Sequence, residues 1–395
     1  MTVAGAGETG AARRGSAGSP GAVSRRVLLA AGGATALTGA AAIGFGVQRG
    51  DAMAAYAAAV AVMRAALVER PDVVDLLRYA TLAPNSHNTQ PWRFRVGADK
   101  IEIAPDDSRK LAIVDPDDHH LFVSLGCAAA NLSMAAGATG RPGVLGFEDA
   151  ARAVRFTYGD APPTDPTLYR AITARQSSRT DYDGRPIGAA ALRLLARSGA
   201  ASGVEVILIT DPRGIGRIRD LVVAGNTVQM SDPAFVRELK RWIRFSPGRA
   251  LATGDGLFSA ASGSPVVPDW LGLGLFDIAF RVGSENDKYA RQLKSSAGVA
   301  IFVSRGESPR DWVDAGRACQ SFALQATALG IKHAFVNQPV EVAGLRGDLA
   351  SLVGLPQRRP DLVMRFGYGP TLPFSARRPV RAVLTADLKP DRLGG

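Results

Sequence analysis

Ala83-Pro84-Asn85-Ser86-His87-Asn88-Thr89-Gln90-Pro91-Trp92-Arg93-Phe94 is the most chemically concentrated stretch of the 395-residue chain. A helical pattern, Val73 to Leu82, leads into it, and Trp92-Arg93-Phe94-Arg95-Val96 alternates as a strand leading out. Pro84 stops the helix, because proline has no N–H and restricts the residue before it. The six residues Asn85 to Gln90 all hydrogen-bond, and they lie where backbone N–H groups are expected to be free. Two prolines and a tryptophan fix the loop from both sides, as a binding loop requires.

The rest of the chain reads outward from that loop. Hydrophobic content of 46% and charged content of 21% are those of a globular protein. The net charge is +11, but residues 1–50 hold five Arg against one Glu, which leaves +7 spread over the remainder without a basic block. Aromatic content is 7%, and no basic-aromatic pattern marks a nucleic-acid surface. Cys127 and Cys319 have no metal or disulfide spacing and sit in Ala-rich helical stretches as small buried hydrophobes. His119-His120 after Asp115-Pro116-Asp117-Asp118 is read as a turn entering a helix rather than a metal site. No metal ligands are nominated.

Ser24-Arg25-Arg26 precedes an uncharged, Ala- and Gly-rich run to Val47. Paired arginines before a weakly apolar core read as a twin-arginine export signal over residues 1–54, with an uncleaved anchor as the alternative and cytoplasmic residence if the leader is not functional. Membrane association is expected through this leader alone.

The stretch from Leu121 to Gly137 is a helix with a small-residue face, and Trp312 to Gly330 echoes it. Gly126 aligns with Gly316, Ala128 with Ala318, Ala136 with Ala326 and Gly140 with Gly330. Leu76-Leu77 is echoed by Leu194-Leu195, and Val204 to Ile209 stands where Trp92 to Val96 stood. Matched segments in one order imply an internal duplication. The second copy has lost the polar loop: only Ala200-Ala201-Ser202-Gly203 separates its helix from its strand. It has gained Arg175-Gln176-Ser177-Ser178-Arg179, two guanidiniums and a hydroxyl that can converge on one phosphate.

Two motifs carry a resemblance to the nitroreductase-like FMN flavoproteins. Ala83-Pro84, Asn88, Gln90-Pro91-Trp92 resembles that family's ring-side loop, with Asn85 where the family has Ser and Ser86 one position later. Arg175-x-Ser177-x-Arg179 followed by Tyr182-Asp183 and Pro186-Ile187 resembles its opening segment. The resemblance covers residues 70 to 385 and implies an α+β (α/β) nitroreductase-like fold, a mixed sheet flanked by helices. In that family two subunits build each site, one giving the clamp and the other the loop. Two degenerate copies in one chain, residues 55–165 and 166–395, then imply a monomeric pseudo-dimer with a single FMN, as in the Acg-like branch.

The resemblance names as cofactor-binding Pro84, Asn85, Ser86, Asn88, Gln90, Arg175, Ser177, Arg179, Asn337, Gln338, and Arg377 or Arg378, with Arg377 favoured. Residues 222–286 read as a lid, or as a helical extension packed on the core. Trp270-Leu271-Gly272-Leu273-Gly274-Leu275-Phe276 is expected to cover something. No acid-base residue is nominated; His87 is a proton donor or a loop stabiliser. The expected activity is NAD(P)H-dependent reduction of nitroaromatics, quinones or other small electrophiles. The alternative is an FMN store whose lid excludes nicotinamide.

Overall fold

The computed structural model describes residues 50–162, 164–200 and 203–385, so residues 1–49 of the expected leader lie outside the described residues. The chain divides at Ala52/Met53, and the unit from Met53 onward holds the two sheets and the core. Helices α1 (Gly50–Met63) and α2 (Val73–Thr81) come first. The Asp72 carboxylate caps α2 by accepting from the Asp75 N–H at 2.8 Å.

Strand β1 (Trp92–Val96) buries Trp92 and Phe94 and turns Arg93 and Arg95 outward, as its alternation requires. It pairs antiparallel with β2 (Lys100–Pro105), Trp92 opposite Pro105. Helix α3 (His119–Ala138) then leads to β3 (Gly143–Glu148) and β4 (Ala153–Tyr158). The first sheet runs β1-β2-β4-β3, antiparallel throughout.

The second half opens with α4 (Pro166–Ala171), α5 (Ala189–Gly199) and β5 (Glu205–Ile209). Next come α6 (Pro212–Ser231), α7 (Pro233–Trp242), β6 (Ile243–Arg244), α8 (Pro247–Thr253), β7 (Leu257–Phe258), α9 (Asp269–Ala279) and α10 (Val282–Lys294). The half closes with β8 (Gly298–Val303), α11 (Pro309–Ala328), β9 (Lys332–Phe335), α12 (Gln338–Glu341), α13 (Arg346–Leu352) and β10 (Leu362–Gly367). Its four-stranded sheet runs β5-β8-β10-β9, again antiparallel throughout. Taken in chain order within each half, the two strand orders are the same. The central β8 and β10 are buried at every position, because both faces are covered.

The halves meet through α3 and α11. A Cβ added at Gly126 would lie 2.0 Å from the Val313 carbonyl oxygen, and one added at Gly316 would lie 2.0 Å from that of Val123. Each glycine sits three residues beyond the carbonyl that the other touches, so the contact is reciprocal. Small residues here let two backbones approach closely. Asn131 and Gln320 are buried at the crossing and pair there: Gln320 Nε2 donates to Asn131 Oδ1 at 2.6 Å, and Asn131 Nδ2 donates to the Tyr79 carbonyl at 2.9 Å. By length and composition α3 could cross a membrane, but 78% of that window is buried inside the protein, which makes it a core helix. One hydrophobic core runs through both halves, from Leu76, Trp92 and Phe122 to Phe302, Phe322 and Phe366.

Candidate functional site

The loop after α2 is held in a conformation that side chains resist. His87, Asn88 and Gln90 have φ of 48°, 53° and 53°, three left-handed residues within four, none of them glycine. Long-range tethers hold them there. Asn88 Nδ2 donates to the carbonyls of Gly256 at 3.1 Å and Ala376 at 3.2 Å. Gln90 Nε2 donates to Gly254 O at 2.8 Å, and its Oε1 accepts from the Arg378 N–H at 2.9 Å. Arg109, which no sequence motif marked, donates to the Thr89 carbonyl and pairs with Asp255; Asp255 also holds Arg244 at 2.6 Å.

These tethers correct two expectations. The N–H groups of Asn88, Thr89 and Gln90 are not free for a ligand; they donate to Asn85 O, Ser86 O and Asn85 Oδ1. Asn88 and Gln90 do not line the cavity beside the loop, because their amides are committed to protein carbonyls. The face that remains open is Pro84, Asn85, Ser86 and His87.

Those four residues line a cavity of about 480 Å³, within the range that holds small-molecule ligands. Arg179 reaches the same cavity from the second half, and so do Asn337 and Gln338 from the turn after β9. The Asn337 side chain is partly committed, its Oδ1 accepting from the Val363 N–H at 2.9 Å. Gln338 Oε1 and His87 Nδ1 are buried without a partner. Burial, followed by the nearby Arg179 charge, pushes the His87 imidazole down to about 4. At neutral pH it is therefore an uncharged imidazole.

The opposite wall is apolar and comes from residues 222–286: Phe235, Leu239, Ile243, Phe245, Leu257, Phe276 and Phe280. Only part of α9 covers anything. Phe276 is buried and Gly272 packs against the Phe245 ring, whereas Trp270 is 80% exposed and Leu273 and Ile278 are exposed with it. The expectation that Trp270 to Phe276 covers something thus holds for Phe276 and Gly272 and not for Trp270 and Leu273.

The expected Arg-Ser-Arg clamp is split into two stations. Arg179 faces the cavity with the loop. Ser177 forms a bridge to His333 that extends the β9 edge, and Ser178 N–H donates to His333 O at 2.8 Å. Arg175 turns the other way, its Nη2 donating to the Leu82 carbonyl at 3.0 Å. Arg377 joins it there, donating to Thr81 O at 2.7 Å and to the carbonyls of Leu82 and Ala83 at 3.2 Å. Arg378 is elsewhere, capping Ala382 O at 2.7 Å.

Arg64, which the sequence did not single out, completes the group from the end of α1. It donates to Thr173 O at 2.6 Å and to Arg175 O at 3.3 Å. All three guanidiniums are at least nine-tenths buried, and none forms an ion pair with a carboxylate among the described residues. Arg175 Nε and Nη1 and Arg64 Nε have no partner. Burial and mutual repulsion push Arg377 down to about 9 and Arg64 well below its usual range; burial above all takes Arg175 to about 10. Three desolvated cations, two of them with orphaned donors, make a donor set that a phosphate with its oxygen acceptors fits. Tyr56 fastens α1 to this corner, its hydroxyl donating to Phe374 O at 2.8 Å and accepting from the Ala376 N–H at 3.0 Å.

No family model matches the chain. Two curated relatives from Mycobacterium tuberculosis, strains CDC 1551 / Oshkosh and ATCC 25618 / H37Rv, both carry the provisional name NAD(P)H nitroreductase. Each is 26% identical over 323 residues, spanning 78% of this chain and 90% of its own. In sequence, the chain is similar to NAD(P)H nitroreductases. Among solved structures, a nitroreductase with bound FMN from Desulfitobacterium hafniense aligns over 54% of this chain and 94% of its own, at 15% identity and a TM-score of 0.34. The FMN-dependent nitroreductase NfnB of Mycobacterium smegmatis, in complex with NADPH, aligns over 51% and 87%, at 14% identity and a TM-score of 0.34.

Proposed function

We propose that the protein is an FMN-dependent NAD(P)H oxidoreductase that reduces small electrophiles, with one flavin site per chain. One observation carries this reading: the loop of the first half and Arg179 of the second meet on a single cavity, with three carboxylate-free arginines buried behind the loop. In the proposed arrangement Arg64, Arg175 and Arg377 hold the phosphate, while Pro84 to His87, Arg179, Asn337 and Gln338 face the ring. Bound FMN would supply the two-electron chemistry; the protein holds it, keeps water out and controls access. The twin curated relatives, similar over most of both chains, support the same reading.

The single-chain pseudo-dimer, of the Acg-like kind, belongs to the proposal and is supported by the matching strand orders and the reciprocal glycine contacts. So does export through residues 1–54, which rests on the sequence. The covering wall from residues 222–286 favours a second reading, in which the protein stores FMN and excludes nicotinamide. Steady-state NAD(P)H consumption with menadione or nitrofurazone as acceptor separates the two. Acceptor-dependent turnover by the flavin-loaded protein is the expected result; its absence with flavin bound gives the storage reading.

A further inference from the structure

The cavity is polar at one end, and no part of the flavin reading uses that end. Glu341 of α12 and His120 of α3 face each other there, with His120 Nε2 3.7 Å from Glu341 Oε1. That separation is too long for a hydrogen bond, and His120 Nε2 has no hydrogen-bond partner although its residue is only 3% exposed. Gln229 of α6 donates to the other carboxylate oxygen of Glu341 at 2.6 Å. An unsatisfied buried nitrogen such as His120 Nε2, on the wall of a cavity, is costly unless a ligand meets it.

We propose that Glu341 and His120, with Gln229 fixing the carboxyl, anchor the carbonyl or nitro oxygen of a flat, uncharged aromatic electron acceptor. The inference rests on the oxidoreductase reading and adds to it the residues that place the second substrate. An acceptor oxygen takes the Glu341 proton in a hydrogen bond, and the ring lies along the apolar wall of Phe235, Leu239 and Phe276. An ionised ligand would be stranded against that wall.

The carboxyl's surroundings suit the role. Burial raises Glu341 to about 7, Gln229 opposes the rise and the nearby Asp115 carboxyl adds to it. Tyr289 of α10 faces it as an uncharged phenol, itself raised by burial to about 12. Arg346 turns away to donate to the Val340 carbonyl at 2.7 Å, and Lys288 is paired with Glu285. Burial and the neighbouring His119 push His120 well below its usual range, so it stays neutral. The acid form of Glu341, able to donate, thus prevails below about 7 and gives way to the carboxylate above it.

The test is the affinity of the full-length, flavin-loaded protein for menadione, an uncharged quinone, read by quenching of tryptophan fluorescence on both sides of neutrality. Wild-type affinity is expected to fall about tenfold per pH unit above the Glu341 midpoint. Glu341→Gln, which keeps the shape and a donor, is expected to bind with no such fall. A flat wild-type profile, or an equal fall in the variant, overturns the proposal. Flavin content is read from the visible spectrum of the same samples. A colourless protein with the expected profile overturns the flavin reading and leaves the anchoring site standing. A yellow protein with a flat profile does the reverse.

Discussion

Two connections occupy equivalent places in the two halves. Between α2 and β1 lie the strained, tethered residues of the polar loop; between α5 and β5 the sequence offers only Ala200-Ala201-Ser202-Gly203. Around them the strand orders match and the central helices contact each other reciprocally. The shared core therefore does not require the loop. The loop lines the cavity, and the second half brings to it groups the first lacks there: Arg179 and the wall from residues 222–286.

The scaffold side of this comparison predicts the largest effect. Gly126→Ala and Gly316→Ala each drive a methyl into a helix carbonyl, so each is expected to cost about 3 kcal/mol of stability, measured by denaturant unfolding. The two losses are expected to be similar in size. A large loss at one glycine with a negligible loss at the other would break the equivalence of the halves.

The site side predicts a smaller and more selective effect. Arg175→Ala removes charge-assisted hydrogen bonds of about 1.5 to 3 kcal/mol, which weakens FMN binding roughly ten- to hundredfold. Without flavin, the same change removes one of three repelling cations, so thermal stability is expected to hold. Arg64→Ala is expected to behave alike. A loss of apoprotein stability exceeding the loss of affinity would make these arginines structural pins for the carbonyls of Leu82 and Thr173 instead.

Much of the scaffold was legible from sequence because its signals are local. Alternation gave β1 with Trp92 and Phe94 inward, and small residues at helical spacing marked α3 and α11. Gly126 and Gly316, matched in sequence as equivalent positions, are the residues at which the two helices touch. The site was legible in part. Pro84 to His87 and Arg179 reach one cavity, whereas Arg175 and Ser177 of the same motif do not. Asn88 and Gln90 proved to be tethers, since their partner carbonyls lie more than 160 residues away in sequence and nothing local announces them. Arg64 was invisible for the same reason: a lone arginine after an Ala-rich helix gains meaning only beside Arg175, 111 residues on. Glu341 and His120 belong to no motif and become a pair only when α12 packs near α3.

The most direct test of a single site built from two unequal halves is the flavin stoichiometry of the purified full-length protein, taken from its visible spectrum against protein concentration. One FMN per chain is the predicted result. Two per chain would contradict the loss of the second loop as the loss of a site, and none, after incubation with excess FMN, would contradict the flavin site itself.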